Sequence, residues 1–197
     1  VPADDDFAEY CTEKVKGQVV PFGRSVPASV SGVSYIADLG LSGTKFTIDG
    51  LETTLHLPGD YNYQNALGVI ALAKKLGIPA QKIKEGLEAV SAMSGRMEVK
   101  EALLKSGVKA TIICDCYNAN PDSMKRVIEF CSQVKTEGKK IFVLGDMKEL
   151  GEKAFEAHKE IGQLVSASDA DLLILAGSEM KAACEADGGT YGDWRMV

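Results

Sequence analysis

VKATIICDCYNANP, residues 108–121, is the stretch that decides the fold. Val108–Cys114 is a short, β-branched, apolar run, which predicts a strand. Asn120-Pro121 then reads as a helix start, with Asn as cap and Pro at the first helical position. Met124, Val127, Ile128, Cys131 and Val134 continue it as an apolar helical stripe. Downstream the alternation repeats. Strands are expected at Lys140–Leu144 and Leu172–Leu175, and helices over 153–167 and 178–186. Strands alternating with helices of this length predict right-handed βαβ units and a parallel sheet, hence an α/β fold.

Upstream the pattern is mixed. Residues 4–16 predict a short helix with an acidic first turn, and 17–40 hold β-rich runs broken by Gly and Pro. Thr44–Ile48 and Leu51–Leu57 flank Asp49-Gly50, a two-residue hairpin turn. Phe46 and Ile48 then share a buried face with Leu51, Leu55 and Leu57, and His56 points to the other side. Asp60 reads as the cap of a helix running to residue 76, carrying Ala66, Leu67, Val69, Ile70, Ala73 and Leu76. A second helix spans about 80–90, and a strand 97–103. The character changes near residues 95–106, where a domain boundary is expected.

Bulk properties narrow the functions. The chain has 197 residues, 45% of them hydrophobic, and a formal charge of −6. No Lys/Arg cluster forms the basic face that nucleic acid requires. No apolar run is long enough to span a membrane, so no membrane partner is expected. The five cysteines are scattered and odd in number, which points to reduced thiols in the cytoplasm. No G-x-x-x-x-G-K-[ST] loop and no G-x-G-x-x-G fingerprint occur.

Ligands of such sheets bind beyond the carboxyl ends of the strands. Three segments fall there: Asp115–Asn120, Gly145–Glu149 and Gly177–Glu179. A carboxylate at Asp115 suits ribose hydroxyls, and the amides of Asn118 and Asn120 suit a phosphate or peptide. The same two asparagines also suit a turn and a helix cap. Asn62 and Asn65 lie three apart on one helix face, and an amide can match the edge of adenine or simply face water. Arg96 can reach a phosphate or serve as an exposed linker residue. His158 falls on the apolar side of its helix and reads as a satisfied, partly buried histidine.

Four strings, LPGDYNYQNAL (57–67), SGRMEV (94–99), DCYNANPDSM (115–124) and LGDMKELG (144–151), together resemble the Mur ligase family. The resemblance is carried most specifically by the last two, and it covers about residues 55–180. It implies residues 1–100 as the end of a central ATPase domain, mixed β plus helices. It implies residues 101–197 as a truncated Rossmann-like C-terminal domain of parallel βαβ units. The implied activity is ATP-dependent ligation through an acyl phosphate, within peptidoglycan precursor synthesis, in the branch that takes D-alanyl-D-alanine. Implied partners are the small molecules ATP, D-Ala-D-Ala and a UDP-MurNAc-tripeptide. Implied cofactors are ATP and Mg2+, with the metal ligands outside this stretch.

By the same resemblance Asn62, Asn65, Arg96, Asp115 and Asn118 bind nucleotide, and Asn120, Asp146 and Glu149 bind the dipeptide. Tyr61 stands where the family usually has His, and Cys116 where it usually has Ser. The chain starts without Met and lacks the family's P-loop. A fragment inactive by itself is therefore expected, with its two sets of residues converging on one cleft about Arg96. The other readings are a family ligase with a different acceptor and a non-catalytic receiver-like module.

Overall fold

The computed structural model describes residues 1–3, 5–24, 30–185 and 194–196. The chain divides into two compact units, Val1–Met93 and Ser94–Val197. The division lies ahead of the 100/101 position drawn from the sequence. The physical reason is that a strand starting at Glu98 pairs wholly with the second unit.

In the first unit, helix α1 (Ala8–Lys14) precedes strands β1 (Val33–Asp38), β2 (Thr44–Ile48) and β3 (Leu51–Leu55). These form an antiparallel sheet in the order β1-β2-β3. The β2–β3 turn is the expected one, with Asp49 at φ 48 and Gly50 at φ 81. Such left-handed angles match the twist of a hairpin. The buried face differs in one respect. Phe46 and Ile48 are fully buried, but Phe46 faces Thr53, which is also 0% exposed. Thr53 satisfies its hydroxyl by donating to the Leu51 carbonyl at 3.1 Å, so a polar residue is tolerated in the core.

Helices α2 (Asp60–Lys75) and α3 (Ala80–Glu88) complete this unit. Tyr63, Leu67 and Ile70 of α2, with Ile83 and Leu87 of α3, close over Phe46, Ile48 and Leu55. His56 is exposed, as expected. Asp60 is not the cap. Gly59 holds that position at φ 91, and Asp60 opens the first turn. There its carboxylate pairs with Arg24, whose guanidinium also lies over the rings of Tyr35 and Tyr63. A negative charge in the first turn suits the helix dipole.

The second unit opens on an antiparallel hairpin, β4 (Glu98–Leu103) with β5 (Lys109–Cys114), in unbroken register from Glu98–Cys114 to Leu103–Lys109. Its tip is an exposed turn. Leu104 N–H donates to Val108 O at 2.9 Å, Gly107 N–H to Leu104 O at 2.8 Å, and Gly107 takes φ 81. The parallel sheet consists of β6 (Ile141–Gly145), β7 (Leu172–Ala176) and β8 (Trp194–Met196), in that order. Residues 108–114 were expected in this sheet. Among the described residues they pair with β4 alone, because the short Leu104–Val108 connection favours an antiparallel partner.

Helices α4 (Pro121–Gln133), α5 (Ala154–Ser166) and α6 (Lys181–Glu185) pack with the sheet. Ile128, Phe142, Met147, Ile161, Val165, Leu173, Leu175 and Met180 form the core. α5 and α6 approach closely at Gly162, where an added Cβ would lie 2.2 Å from the Ala183 carbonyl oxygen. Among the described residues, no helix is long and apolar enough to cross a membrane.

Candidate functional site

The expected site residues fall into three groups. The first is at the start of α2. Asn62 is half-buried and donates through Nδ2 to the Pro58 carbonyl at 2.7 Å. That bond fixes the amide and leaves its oxygen and its second N–H for other partners. Asn65, one turn on, is exposed. The two lie on one helix face, as their spacing requires.

The second group joins the residues around Arg96 to those around Asp115. Gly95 is buried at φ 72, and an added Cβ would lie 3.2 Å from the Tyr117 backbone nitrogen. The close approach lets Tyr117 N–H donate to Gly95 O at 3.0 Å. Met97, at φ 49, donates its N–H to Asp115 Oδ1 at 2.9 Å. The exposed Arg96 guanidinium stacks 4.1 Å from the centre of the Tyr117 ring. A planar cation over an aromatic face is held in place with its edge donors still presented.

Burial raises the Asp115 pKa above the usual aspartate value, against the pull of the Met97 N–H and the Arg96 charge. The group therefore resembles an anion-and-hydroxyl site. Oδ1 is engaged by Met97, and Oδ2 has no hydrogen-bond partner among the described residues. Asn118 is exposed beside it. Asn120 serves as the helix cap. Its Oδ1 accepts Ser123 N–H at 2.9 Å, and Ser123 Oγ accepts Asn120 N–H at 3.2 Å, a reciprocal capping box. This engages the side-chain oxygen of Asn120, the residue expected from the resemblance at the dipeptide.

The third group lies beyond the carboxyl ends of β6 and β7. Asp146 has a side chain only 8% exposed, and Oδ2 accepts from Lys148 Nζ at 2.7 Å. Its Oδ1 accepts the N–H groups of Glu179 and Met180, each at 3.0 Å. Burial alone raises its pKa, but Lys148 and the two N–H donors outweigh burial and hold it below the ordinary value. Asp146 thus ties two strand ends together, with both carboxylate oxygens engaged. Gly177, at φ 110, makes room for it. Glu149 is exposed, in left-handed conformation at φ 64.

His158 is 0% exposed, with Nε2 3.0 Å from Met147 N–H and Nδ1 2.7 Å from Ala154 O. The sequence reading placed it on the apolar side as a satisfied histidine, and it is buried more completely than that. Local sequence gave no signal for Lys148 as the partner of Asp146, for Gly177 as its seat, or for Arg24 against Asp60. The Gly177 and Arg24 pairings depend on contacts set by the tertiary fold, and the Lys148 one on the path of the turn.

Residues 95–190 match the family model described as Mur ligase, glutamate ligase domain. A UDP-N-acetylmuramoyl-tripeptide–D-alanyl-D-alanine ligase from Treponema pallidum is 40% identical over 163 residues, which is 81% of this chain and 34% of that protein. A crystal structure of MurF from Acinetobacter baumannii superposes on all of this chain, using 41% of its own length, with TM-score 0.77 at 27% identity. MurF from Thermotoga maritima, solved in complex with ADP, aligns over 90% of this chain and 38% of its own, with TM-score 0.64. At 22% identity that last likeness shows the fold alone. The chain spans about a third of the length of the curated relatives it matches. With the four sequence strings, the βαβ unit and these likenesses agreeing, the chain belongs to the Mur ligase family.

Proposed function

We propose that this chain is part of an ATP-dependent ligase that joins D-alanyl-D-alanine to a UDP-N-acetylmuramoyl-tripeptide. The single observation that carries the reading is the Asp115 arrangement at the end of β5. One carboxylate oxygen is fixed by Met97 N–H, the other is left for a ligand, and a stacked Arg96 guanidinium stands alongside. Ribose hydroxyls can donate to the carboxylate, and the guanidinium edge can donate to a phosphate. Asn65 and the Asn62 amide oxygen are assigned to adenine, and Asn118 to the nucleotide.

In this reaction ATP transfers its γ-phosphoryl group to the tripeptide carboxylate. The dipeptide amine attacks the acyl carbon, the C–O bond to phosphate breaks, and the amine loses a proton as the amide forms. Positioning and charge neutralisation account for most of the acceleration in such transfers. Among the described residues no group of three or more His, Cys, Asp or Glu converges as a metal site. By the family resemblance, magnesium is assigned to residues outside this stretch, and no step is routed through it. The Glu149 side of the β6 turn is assigned to the incoming dipeptide. The Asn120 and Asp146 side chains support that region structurally.

The test uses the longer ligase that carries this segment. Phosphate release should require ATP, the UDP-sugar tripeptide and D-Ala-D-Ala together. Asp115→Ala removes a charged acceptor, so KM for ATP should rise about tenfold or more. An unchanged KM for ATP in that variant would remove the nucleotide from this turn. Faster phosphate release with another amino acid than with D-Ala-D-Ala would reassign the acceptor.

A further inference from the structure

The geometry points to His158 as a positioning residue for the incoming dipeptide, acting through the turn between β6 and the helix that carries it; this rests on the ligase reading above. His158 is the one buried imidazole among the described residues, and it spans two elements. Ala154 O accepts from Nδ1–H, which fixes the tautomer and leaves Nε2 as an acceptor for Met147 N–H. An apolar side chain would fill the same space but would leave that amide buried and unpaired.

The turn is therefore pinned on both sides of its exposed tip. On one side Asp146 Oδ1 holds Glu179 and Met180 N–H, and Met147 is 1% exposed with its amide on the imidazole. On the other side the chain passes into the short turn Gly151–Lys153 and α5. What remains displayed is Lys148, 70% exposed in its side chain with its Nζ also on Asp146 Oδ2, and Glu149 at φ 64. These two lie beyond the carboxyl ends of parallel strands, where such sheets bind ligands. Adjacent positive and negative groups suit a zwitterionic peptide, with an amine at one end and a carboxylate at the other. His158 touches neither. It sets the backbone that aims them.

The experiment compares His158→Leu and His158→Gln in the full-length ligase, varying dipeptide and ATP separately. Leucine removes the acceptor, and glutamine restores an oxygen that can accept Met147 N–H. The expected result is a KM for dipeptide raised about tenfold in His158→Leu, with KM for ATP nearly unchanged and rescue in His158→Gln. A purely packing role would lower thermal stability without moving KM for dipeptide. That outcome, or equal behaviour of the two variants, overturns the inference.

If His158→Leu does not fold, His158→Asn takes its place, since its amide is too short to reach Met147. A wild-type enzyme with no dipeptide-dependent phosphate release would sink the ligase reading instead. The positioning role is then read by hydrogen exchange. The amides of Met147 and Glu179 should exchange faster in His158→Leu than in His158→Gln, and equal protection would refute it.

Discussion

Replacing Gly177 by Ala should be among the most damaging single-methyl changes in this chain. The added Cβ would stand 2.3 Å from Asp146 Cγ and 2.4 Å from each carboxylate oxygen. Gly177 also sits at φ 110, where a side chain adds strain of roughly 1–2 kcal/mol. To make room, Asp146 must move off the Glu179 and Met180 N–H groups, and bonds to a charged acceptor contribute about 1.5–3 kcal/mol each. With partial relaxation the total comes to roughly 3–6 kcal/mol, a large share of the 5–15 kcal/mol typical of a domain. Urea denaturation followed by circular dichroism measures it. The decisive control is the same substitution in an Asp146→Ala background, where the three clashing atoms are gone. There Gly177→Ala should cost only the backbone strain, about 1–2 kcal/mol. Equal costs in the two backgrounds would refute the argument that Gly177 exists to seat Asp146.

Two further outcomes follow from the same region and its neighbour. The Asp146 pKa is lowered in the folded state, so its stabilising contribution is full above the unfolded value of about 4 and fades as pH falls through the lowered one. The stability gap between the wild type and Asp146→Asn in urea melts should therefore narrow below about pH 4; a gap that widens on acidification would reverse the assignment. Asn120→Ala should cost about 1 kcal/mol by loss of the cap, and Asn120→Ser should recover most of it. Full recovery of stability by Ser with KM for dipeptide still raised would show that the Asn120 side chain reads the substrate directly.

Much of the architecture was legible in the sequence because local rules and tertiary packing agree. Asp49-Gly50 specified its hairpin, Asn120-Pro121 its capped helix, and the alternation after residue 140 its parallel strands. Where reading by pattern failed, a long-range contact had overruled it. Thr53 is polar in sequence but faces Phe46 in the core. Asp60 has the right chemistry for a cap, yet Gly59 takes that place and leaves the carboxylate to Arg24. Residues 108–114 looked like a sheet strand, and their short connection to 98–103 made them half of a hairpin.

The candidate site divided in the same way. Met97, next to Arg96, is eighteen positions from Asp115, yet the hairpin register brings their turns together, and the motif strings pointed to both. Asp146 was legible as important, with a structural and a ligand-facing role both open. A carboxylate at a strand end is ambiguous until its oxygens are traced, and here they end on Lys148, Glu179 and Met180. His158 was read from periodicity as satisfied, but its partner at Met147 lies across an element boundary that periodicity does not see.

The hairpin of β4 and β5 offers a practical handle. Its closed end at Lys105–Gly107 is exposed and self-contained, while its open end carries Arg96 and Asp115. Surface turns of this kind tolerate insertions. A small fluorescent or affinity tag spliced between Lys105 and Ser106 would thus sit a full hairpin's length from Arg96 and Asp115, giving a reporter that can follow the protein with that end undisturbed.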